Sequence, residues 1–234
     1  ALELIELSRK TGKVVQVGHV ERFNPALLAL GDLKVKPFFI EAHRLAMFNP
    51  RGIDVSVVLD LMIHDLDIIL KLADDEVADV RASGVAVVSE QPDIVNARIE
   101  FKGGAVANLT ASRISLKNMR KVRLFQPDAY ISLGLLEKES QVVRLFDANA
   151  ANIPDAGQQF PLETPKGQRI IHVDMPDSGP INAIQMELES LANSINAGEP
   201  AAVSIEDGYR ALELAHRISA AVAENQRNLP NPEV

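Results

Sequence analysis

Hydrophobic positions along this chain change from a helical to an alternating spacing and back again. The first twelve residues have the apolar spacing of a helix, and KVVQVG (13–18) reads as a short buried strand. Phe23-Asn24-Pro25 predicts the start of a helix, with Asn24 as N-cap and proline in the first helical position. PFFIEAHRL (37–45) predicts a strand, and the run from 57 to 73 predicts a helix buried on most of its surface.

The middle of the chain predicts strand after strand. Short connections between these strands leave little room for crossover helices, so the sheet should be mostly antiparallel. A Pro/Asn/Gly-rich stretch (148–166) predicts a long loop, and QRIIHVDM (168–175) predicts a last strand. The strands predicted before that loop span 77–89, 93–101, 105–114, 121–127, 129–137 and 141–147.

Two predicted helices follow the last strand. The core stripe of the first should consist of Ile184, Leu188, Leu191, Ala192 and Ile195. The second opens with Ser204-x-x-Asp207, a variant of the capping box, and its buried face should hold Ala211, Ala215, Ile218 and Val222. These elements predict an α+β fold, in which helices pack on one face of a large, open, mainly antiparallel sheet.

Composition narrows the class of protein. The chain has 234 residues, of which 47% are hydrophobic and 24% charged, as in an ordinary globular protein. A net charge of −8 argues against a nucleic-acid partner, and charges interrupt the longer apolar stretches, which argues against a membrane span. The chain has no cysteine, which excludes disulfides and thiol catalysis and favours a cytoplasmic location.

The stretch DLMIHDLDIIL (60–70) holds the candidate chemistry, because ionisable groups in an apolar run are costly unless paired, hydrated or used. On a helical wheel, four titratable side chains fall within an arc of about 60°: Asp60, His64, Asp67 and Lys71. Asp65 lies apart, on the far flank. The wheel therefore predicts a helix packed on two sides, with one titratable edge that lines a cleft.

Asp60 and His64 have the i, i+4 spacing at which a carboxylate can hydrogen-bond and orient an imidazole, as a general acid/base requires. An ordinary solvated charge pair explains the same spacing. A metal-dependent hydrolase using Asp60, His64 and Asp67 is a third interpretation, although no His-x-His or His-Glu-x-x-His pattern occurs. His19, after the first predicted strand, could line the cleft or simply pack. The spacing leaves these alternatives open, and no glycine-rich dinucleotide-binding turn is present.

Three stretches in the same order resemble the Gfo/Idh/MocA oxidoreductase family: VGHVERFNPAL (17–27), DVSVVLDLMIHDLDIIL (54–70) and ARIEFKGGAVANLTASR (97–113). The resemblance implies an N-terminal Rossmann domain and a C-terminal domain built on an open sheet. Residues 1–22 would be the remnant of the Rossmann domain, its last helix and strand. Residues 23–234 would be the C-terminal domain for substrate binding and dimerisation. The glycine-rich turn and the family's Glu-Lys-Pro lysine would belong to an upstream domain that this chain lacks.

The resemblance also implies roles for individual residues. Asp60-x-x-x-His64 matches the family pair that faces the nicotinamide, so His64 would take the proton of a substrate hydroxyl and Asp60 would orient it. Arg22 and Arg51, the latter in FNPRG (48–52), would contact the cofactor. Asp67 and His19 would contact the substrate. No resident metal is implied.

The expected function is therefore that of the C-terminal part of an oxidoreductase that uses NAD or NADP on a sugar or nucleotide sugar. VGHVERFNP and DLMIHD look most like the branch of the family that acts on nucleotide sugars, UDP-N-acetylglucosamine included. The missing N-terminal domain would hold most of the cofactor, so this chain alone should be inactive. The free face of the sheet should form a homodimer or homotetramer, and the alternative function is a non-catalytic dimerisation or substrate-binding module.

Overall fold

A nine-stranded sheet organises the described part of the chain, residues 1–50 and 53–227 of a computed structural model. Its strands are β1 (Phe39–Leu45), β2 (Val77–Val85), β3 (Ile94–Phe101), β4 (Val106–Ser112), β5 (Met119–Gln126), β6 (Ala129–Gly134), β7 (Glu139–Asp147), β8 (Gln158–Thr164) and β9 (Gly167–Asp174). The strand order is β2-β3-β4-β1-β5-β6-β7-β9-β8, and neighbours are antiparallel except for the parallel pair β1 and β4. The predicted large, mainly antiparallel sheet is confirmed.

Helices precede, interrupt and follow the strands. They are α1 (Leu2–Thr11), α2 (Pro25–Leu28), α3 (Ile63–Ala73), α4 (Ala183–Asn196) and α5 (Ile205–Arg227). A 3-10 turn spans Val20–Phe23, and a π-helical turn, Val58–Met62, leads directly into α3. None of the described helices is both long and apolar enough to span a membrane.

One face of the sheet is buried and the other is open. On β1, Ile40, Ala42 and Arg44 point into the core and are at most 3% exposed, as strand alternation requires. Helix α5 packs on β2 and α3, and α3 packs on β1, on this side. The alternate residues Phe39 and Glu41 stay only partly covered, as do their neighbours on the adjoining strands.

Local capping signals in the sequence are confirmed. The Asn24 side chain accepts a hydrogen bond from the Ala26 N–H at 3.0 Å and begins α2. At α5, the Asp207 N–H donates to Ser204 Oγ and the Ser204 N–H donates to Asp207 Oδ2, each at 3.0 Å. The predicted buried face of α5 is also confirmed: Ala211, Ala215, Ile218 and Val222 are at most 3% exposed.

The predicted strand at 13–18 is wrong. A strand needs a neighbour along its length, and here the described chain supplies a single antiparallel bridge, between Gln16 and Ser204. The Val17 N–H donates to the Val203 carbonyl at 3.0 Å. Val14 and Val15 remain 41% and 38% exposed, so this segment does not form a buried strand here.

The predicted loop at 148–166 is wrong in its second half, which forms β8. This strand lies at the edge of the sheet, where Pro161 is tolerated because an outward-facing position needs no N–H donor. Its side chains are almost all exposed, so the sequence carries no alternation of buried and exposed positions.

The predicted core stripe of α4 is also wrong. Ile184, Leu188 and Ile195 are 63%, 62% and 62% exposed, and Ser194 is the buried residue of this helix. Helix α4 packs with another side against the 3-10 turn, and the Gln16 side chain, from the segment before that turn, donates to the Glu187 carbonyl at 2.9 Å. Periodicity identified the helix correctly, but it did not identify the face that packs.

The loop between β2 and β3 is closed by one carboxylate. Asp93 is fully buried, and its Oδ2 accepts the N–H groups of Val87 and Val88 at 2.7 Å each and of Ser89 at 3.2 Å. The Ser89 hydroxyl donates to Oδ1 at 2.7 Å. Burial alone would raise the pKa of Asp93, but these hydrogen bonds favour the ionised form and lower its pKa to about 2.

We expect Asp93→Asn to lower the free energy of unfolding by about 1–3 kcal/mol, because the backbone donors lose a charged acceptor. The stabilisation should be complete above the ordinary pKa of 3.8 and should disappear as the pH falls toward about 2. Urea titrations at about pH 7 and about pH 3 test this. Asp79→Asn, at an exposed carboxylate, is the control, and an equal effect of the two substitutions would contradict the prediction.

Candidate active site

The helix that carries His64 begins with a π-helical turn. The Ile63 N–H donates to the Val58 carbonyl, an i to i+5 bond that makes the turn wider than in an α-helix. Asp60 lies inside this turn and His64 lies just after it. The two residues therefore do not have the regular α-helical i, i+4 relation that the helical wheel assumed.

His64 is partly buried and lies next to His19. The two imidazole rings are 5.8 Å apart between centroids and meet edge to face at 88°. His64 Nδ1 is enclosed and has no hydrogen-bond partner among the described residues, whereas Nε2 is not enclosed in this way. Two residues that the sequence nominated for the site are thus in contact.

Burial lowers the pKa of His64 below its ordinary value of 6.5, and electrostatic interactions with Arg44 and His19 lower it further. Asp65 and Glu21 oppose this shift without reversing it. The imidazole is therefore mostly neutral near neutral pH, and a neutral imidazole can accept a proton.

Asp60 has a different environment from the one expected. Its side chain is exposed, and the described residues include no hydrogen bond or ion pair between Asp60 and His64. The carboxylates that act electrostatically on His64 are Asp65 and Glu21. The role of Asp60 in orienting His64 stays a prediction.

Asp67, expected on an open edge, is 1% exposed and forms a buried ion pair with Arg22. Arg22 Nε donates to Asp67 Oδ2 at 2.6 Å and Nη2 donates to Oδ1 at 2.8 Å, the paired geometry of a strong guanidinium–carboxylate contact. The wheel prediction fails here because a charge can be buried when a partner from elsewhere in the chain meets it. Cofactor contact by Arg22 and substrate contact by Asp67 stay predictions.

A second buried charge cluster, which the sequence reasoning missed, surrounds Arg44. Arg44 Nη2 donates to Asp65 Oδ1 at 2.8 Å, Nε donates to both carboxylate oxygens of Asp65, and Nη1 donates to Glu21 Oε1 at 3.0 Å. Arg120 Nη1 donates to the same Glu21 oxygen at 3.1 Å, and Asn24 Nδ2 donates to Glu21 Oε2 at 2.9 Å. Despite burial, which alone would raise it, the pKa of Glu21 is lowered by Arg44 and these donors.

One signal in the sequence could have revealed this cluster. Strand alternation places Arg44 in the same inward register as Ile40 and Ala42. An arginine at an inward position requires a buried acceptor, and Asp65 and Glu21 were available in the neighbouring motifs.

Arg51 lies outside the described residues. Within the described ranges, no three His, Cys, Asp or Glu side chains are grouped so that they could hold a metal ion, and Asp67 is already paired with Arg22. The glycines with left-handed φ that the structure describes are separated along the chain, so these residues do not form a phosphate-binding turn for a dinucleotide.

Comparison with known proteins gives two matches with sequence support. Residues 40–127 match the GFO/IDH/MocA C-terminal domain. The chain is 34% identical over 220 residues to UDP-N-acetylglucosamine 3-dehydrogenase from Acidithiobacillus ferrooxidans, an alignment that covers 94% of this chain and 66% of the relative. The chain therefore spans just under two thirds of the length of that relative.

Solved structures show the same fold. The structure of the Acidithiobacillus ferrooxidans enzyme matches with a TM-score of 0.80, covering 95% of this chain and 66% of that one. An aldose-aldose oxidoreductase from Caulobacter crescentus, complexed with glycerol, matches with a TM-score of 0.72 at 18% identity, covering 94% and 65%. A levoglucosan dehydrogenase in complex with NADH and levoglucosan matches with a TM-score of 0.71 at 17% identity, covering 91% and 65%.

The buried pair of Arg22 and Asp67 should be essential to the fold. We expect Asp67→Ala to lower the free energy of unfolding by about 3–5 kcal/mol, because it leaves the buried Arg22 guanidinium with only the Asp207 carboxylate, 4.0 Å away. Replacing both residues, Arg22→Met with Asp67→Leu, should recover most of this loss. Urea denaturation measures both, with Glu100→Ala at a half-exposed pair as control. A double variant no more stable than the single one would contradict the prediction.

Proposed function

The chain belongs to the Gfo/Idh/MocA family, and from this membership we propose that it is the C-terminal part of an NAD(P)-dependent oxidoreductase acting on a sugar or nucleotide sugar. The observation that carries the proposal is His64, a mostly neutral imidazole whose Nε2 is not enclosed as Nδ1 is. Residues 1–22 are assigned to the end of a Rossmann domain, and 23–234 to the substrate-binding domain. A cytoplasmic location remains part of this proposal.

In the proposed reaction, His64 Nε2 accepts the proton of the substrate hydroxyl. The neutral ring can do so because burial and the nearby charge of Arg44 disfavour the imidazolium before the substrate arrives. His19, in edge contact with His64, is the candidate hydrogen-bonding partner of the substrate. Asp60, exposed in the π-helical turn, would help orient the reacting groups. A nicotinamide cofactor, when bound, would supply the acceptor for the hydride that the substrate carbon loses.

A nucleotide sugar is the substrate class we favour. The support is the relative at 34% identity, which is named for UDP-N-acetylglucosamine and aligns along 94% of this chain. An upstream domain would supply the phosphate-binding turn, since the described residues do not form one. In that arrangement Arg51 and Arg22 are the residues of this chain proposed to contact NAD or NADP.

The open face of the sheet is the proposed oligomer interface. Cross-strand neighbours form an apolar row on this face: Val106, Phe39, Phe125, Tyr130 and Val143. The Phe39 and Phe125 rings are 5.7 Å apart, and the Phe125 and Tyr130 rings are 5.1 Å apart. Such a row suits contact with a second copy, as a homodimer or homotetramer. It also supports the alternative function, a dimerisation module without catalysis.

We expect His64→Ala in the full-length protein to reduce turnover of a nucleotide sugar at least about a hundredfold, the usual effect of losing an acid/base group. His216→Ala, at an exposed histidine of α5, is the matched control. Turnover is followed as NAD(P)H absorbance at saturating substrate. Near-normal turnover of the His64 variant would refute its role as the acid/base.

Phe125→Glu should dissociate the oligomer, because it places a charge in the centre of the apolar row. Sedimentation velocity measures the change, and Leu116→Glu, at a fully exposed loop position, is the control. An unchanged oligomer would exclude this face as the interface. Adding NAD⁺ to the wild-type full-length protein in the same experiment separates the alternatives, because a dimer without cofactor affinity favours the module.

A further inference from the structure

The groups that act on His64 come from three segments of the fold. Arg44 arrives from β1, Glu21 and His19 from the segment around the 3-10 turn, and Asp65 from the helix of His64 itself. Arg44 and Asp65 are each 3% exposed and Glu21 is 5% exposed, so water screens these charges little. Asp60, on the same helix, is exposed.

Arg44 is the residue that holds this cluster together. Its guanidinium uses Nε and Nη2 for Asp65 and Nη1 for Glu21, so all three nitrogens are engaged with two carboxylates. These bonds fix three elements against one another: β1, the first turn of α3, and the 3-10 turn. His64 precedes Asp65 directly, and His19 lies two residues before Glu21. The same bonds therefore determine where the two imidazoles meet.

We propose that Arg44 is the positioning residue of the candidate site: through Asp65 and Glu21 it fixes the proposed base His64 against His19 and holds a guanidinium beside the ring. This inference rests on the proposed function only in calling His64 a base. The geometry itself is independent of the reaction.

The charges on the two sides of the cluster act on His64 in opposite directions. Arg44 lowers the pKa of His64, whereas Asp65 and Glu21 raise it. A role in rigidity alone would not give opposite signs. Removing a carboxylate while keeping Arg44 should therefore make His64 harder to protonate, and removing Arg44 together with Asp65 should make it easier.

The test is a pH titration of His64 by NMR in the protein with carbon-13-labelled histidine, with the signal assigned by loss in His64→Gln. Asp65→Asn should lower the pKa of His64 by at least about half a pH unit. Arg44→Gln combined with Asp65→Asn, in which two amides replace the ion pair, should raise it above the Asp65→Asn value and above wild type. Arg123→Gln removes a cation paired with Glu41 on the open face and should leave the titration unchanged.

Shifts of opposite sign support the proposal, and unchanged or same-sign shifts overturn it. Should the double variant not fold, Glu21→Gln gives a second test, because it keeps Arg44 and must lower the pKa of His64 as Asp65→Asn does. An unmoved His64 in both single variants overturns the proposal. The NMR titration does not require catalysis. A protein without dehydrogenase activity would therefore refute the proposed function, whereas the pKa of His64 could still be measured. In an active enzyme, the acid limb of kcat/KM should move with the same signs.

Discussion

The burial of two aspartates on α3 is the constraint on which the rest of the site depends. Asp65 and Asp67 are almost fully enclosed, which a folded protein tolerates only when each ion meets a geometrically suitable counter-charge. Arg44 and Arg22 supply those charges from outside the helix. The two pairs fix α3 against β1 and the 3-10 turn, and with it they fix His64 beside His19.

The need to pair buried charges also applies to two neighbouring strands of the sheet. Arg44 and Arg120 are direct cross-strand partners on β1 and β5, an arrangement that like charges normally destabilise. Glu21 resolves it, because its Oε1 accepts from both guanidinium groups. Asn24 then donates to the other oxygen of Glu21 and also caps α2, so the motif VERFNP is simultaneously a charge partner and a helix start. The cluster stabilises the fold only when it is complete.

Sequence could predict what depends on neighbours in the chain. The strands from β2 to β7, the cap at Asn24 and the buried face of α5 all follow from periodicity or capping, which are local. The failures at 13–18, β8 and α4 depend on what packs beside a segment, which periodicity does not specify. For the site, spacing identified His64, but a wheel of regular α-helix missed the π-helical turn at Asp60. The wheel also placed Asp67 on an open edge. A helical wheel shows only the residues of its own helix, so it could not show that Arg22 pairs with Asp67.

The basicity of His64 is therefore a property of the tertiary structure and not of an Asp-x-x-x-His spacing. Burial has the largest effect on its pKa, and Arg44 and His19 lower the pKa further whereas Asp65 and Glu21 raise it. His64 is partly buried because the ion pairs Arg44–Asp65 and Arg22–Asp67 fix α3 against the rest of the fold. An exposed helix with the same residues would have a histidine near its ordinary pKa of 6.5 and half protonated there. The ion pairs that allow α3 to be buried thus also bury His64, and this burial lowers the pKa of its imidazole.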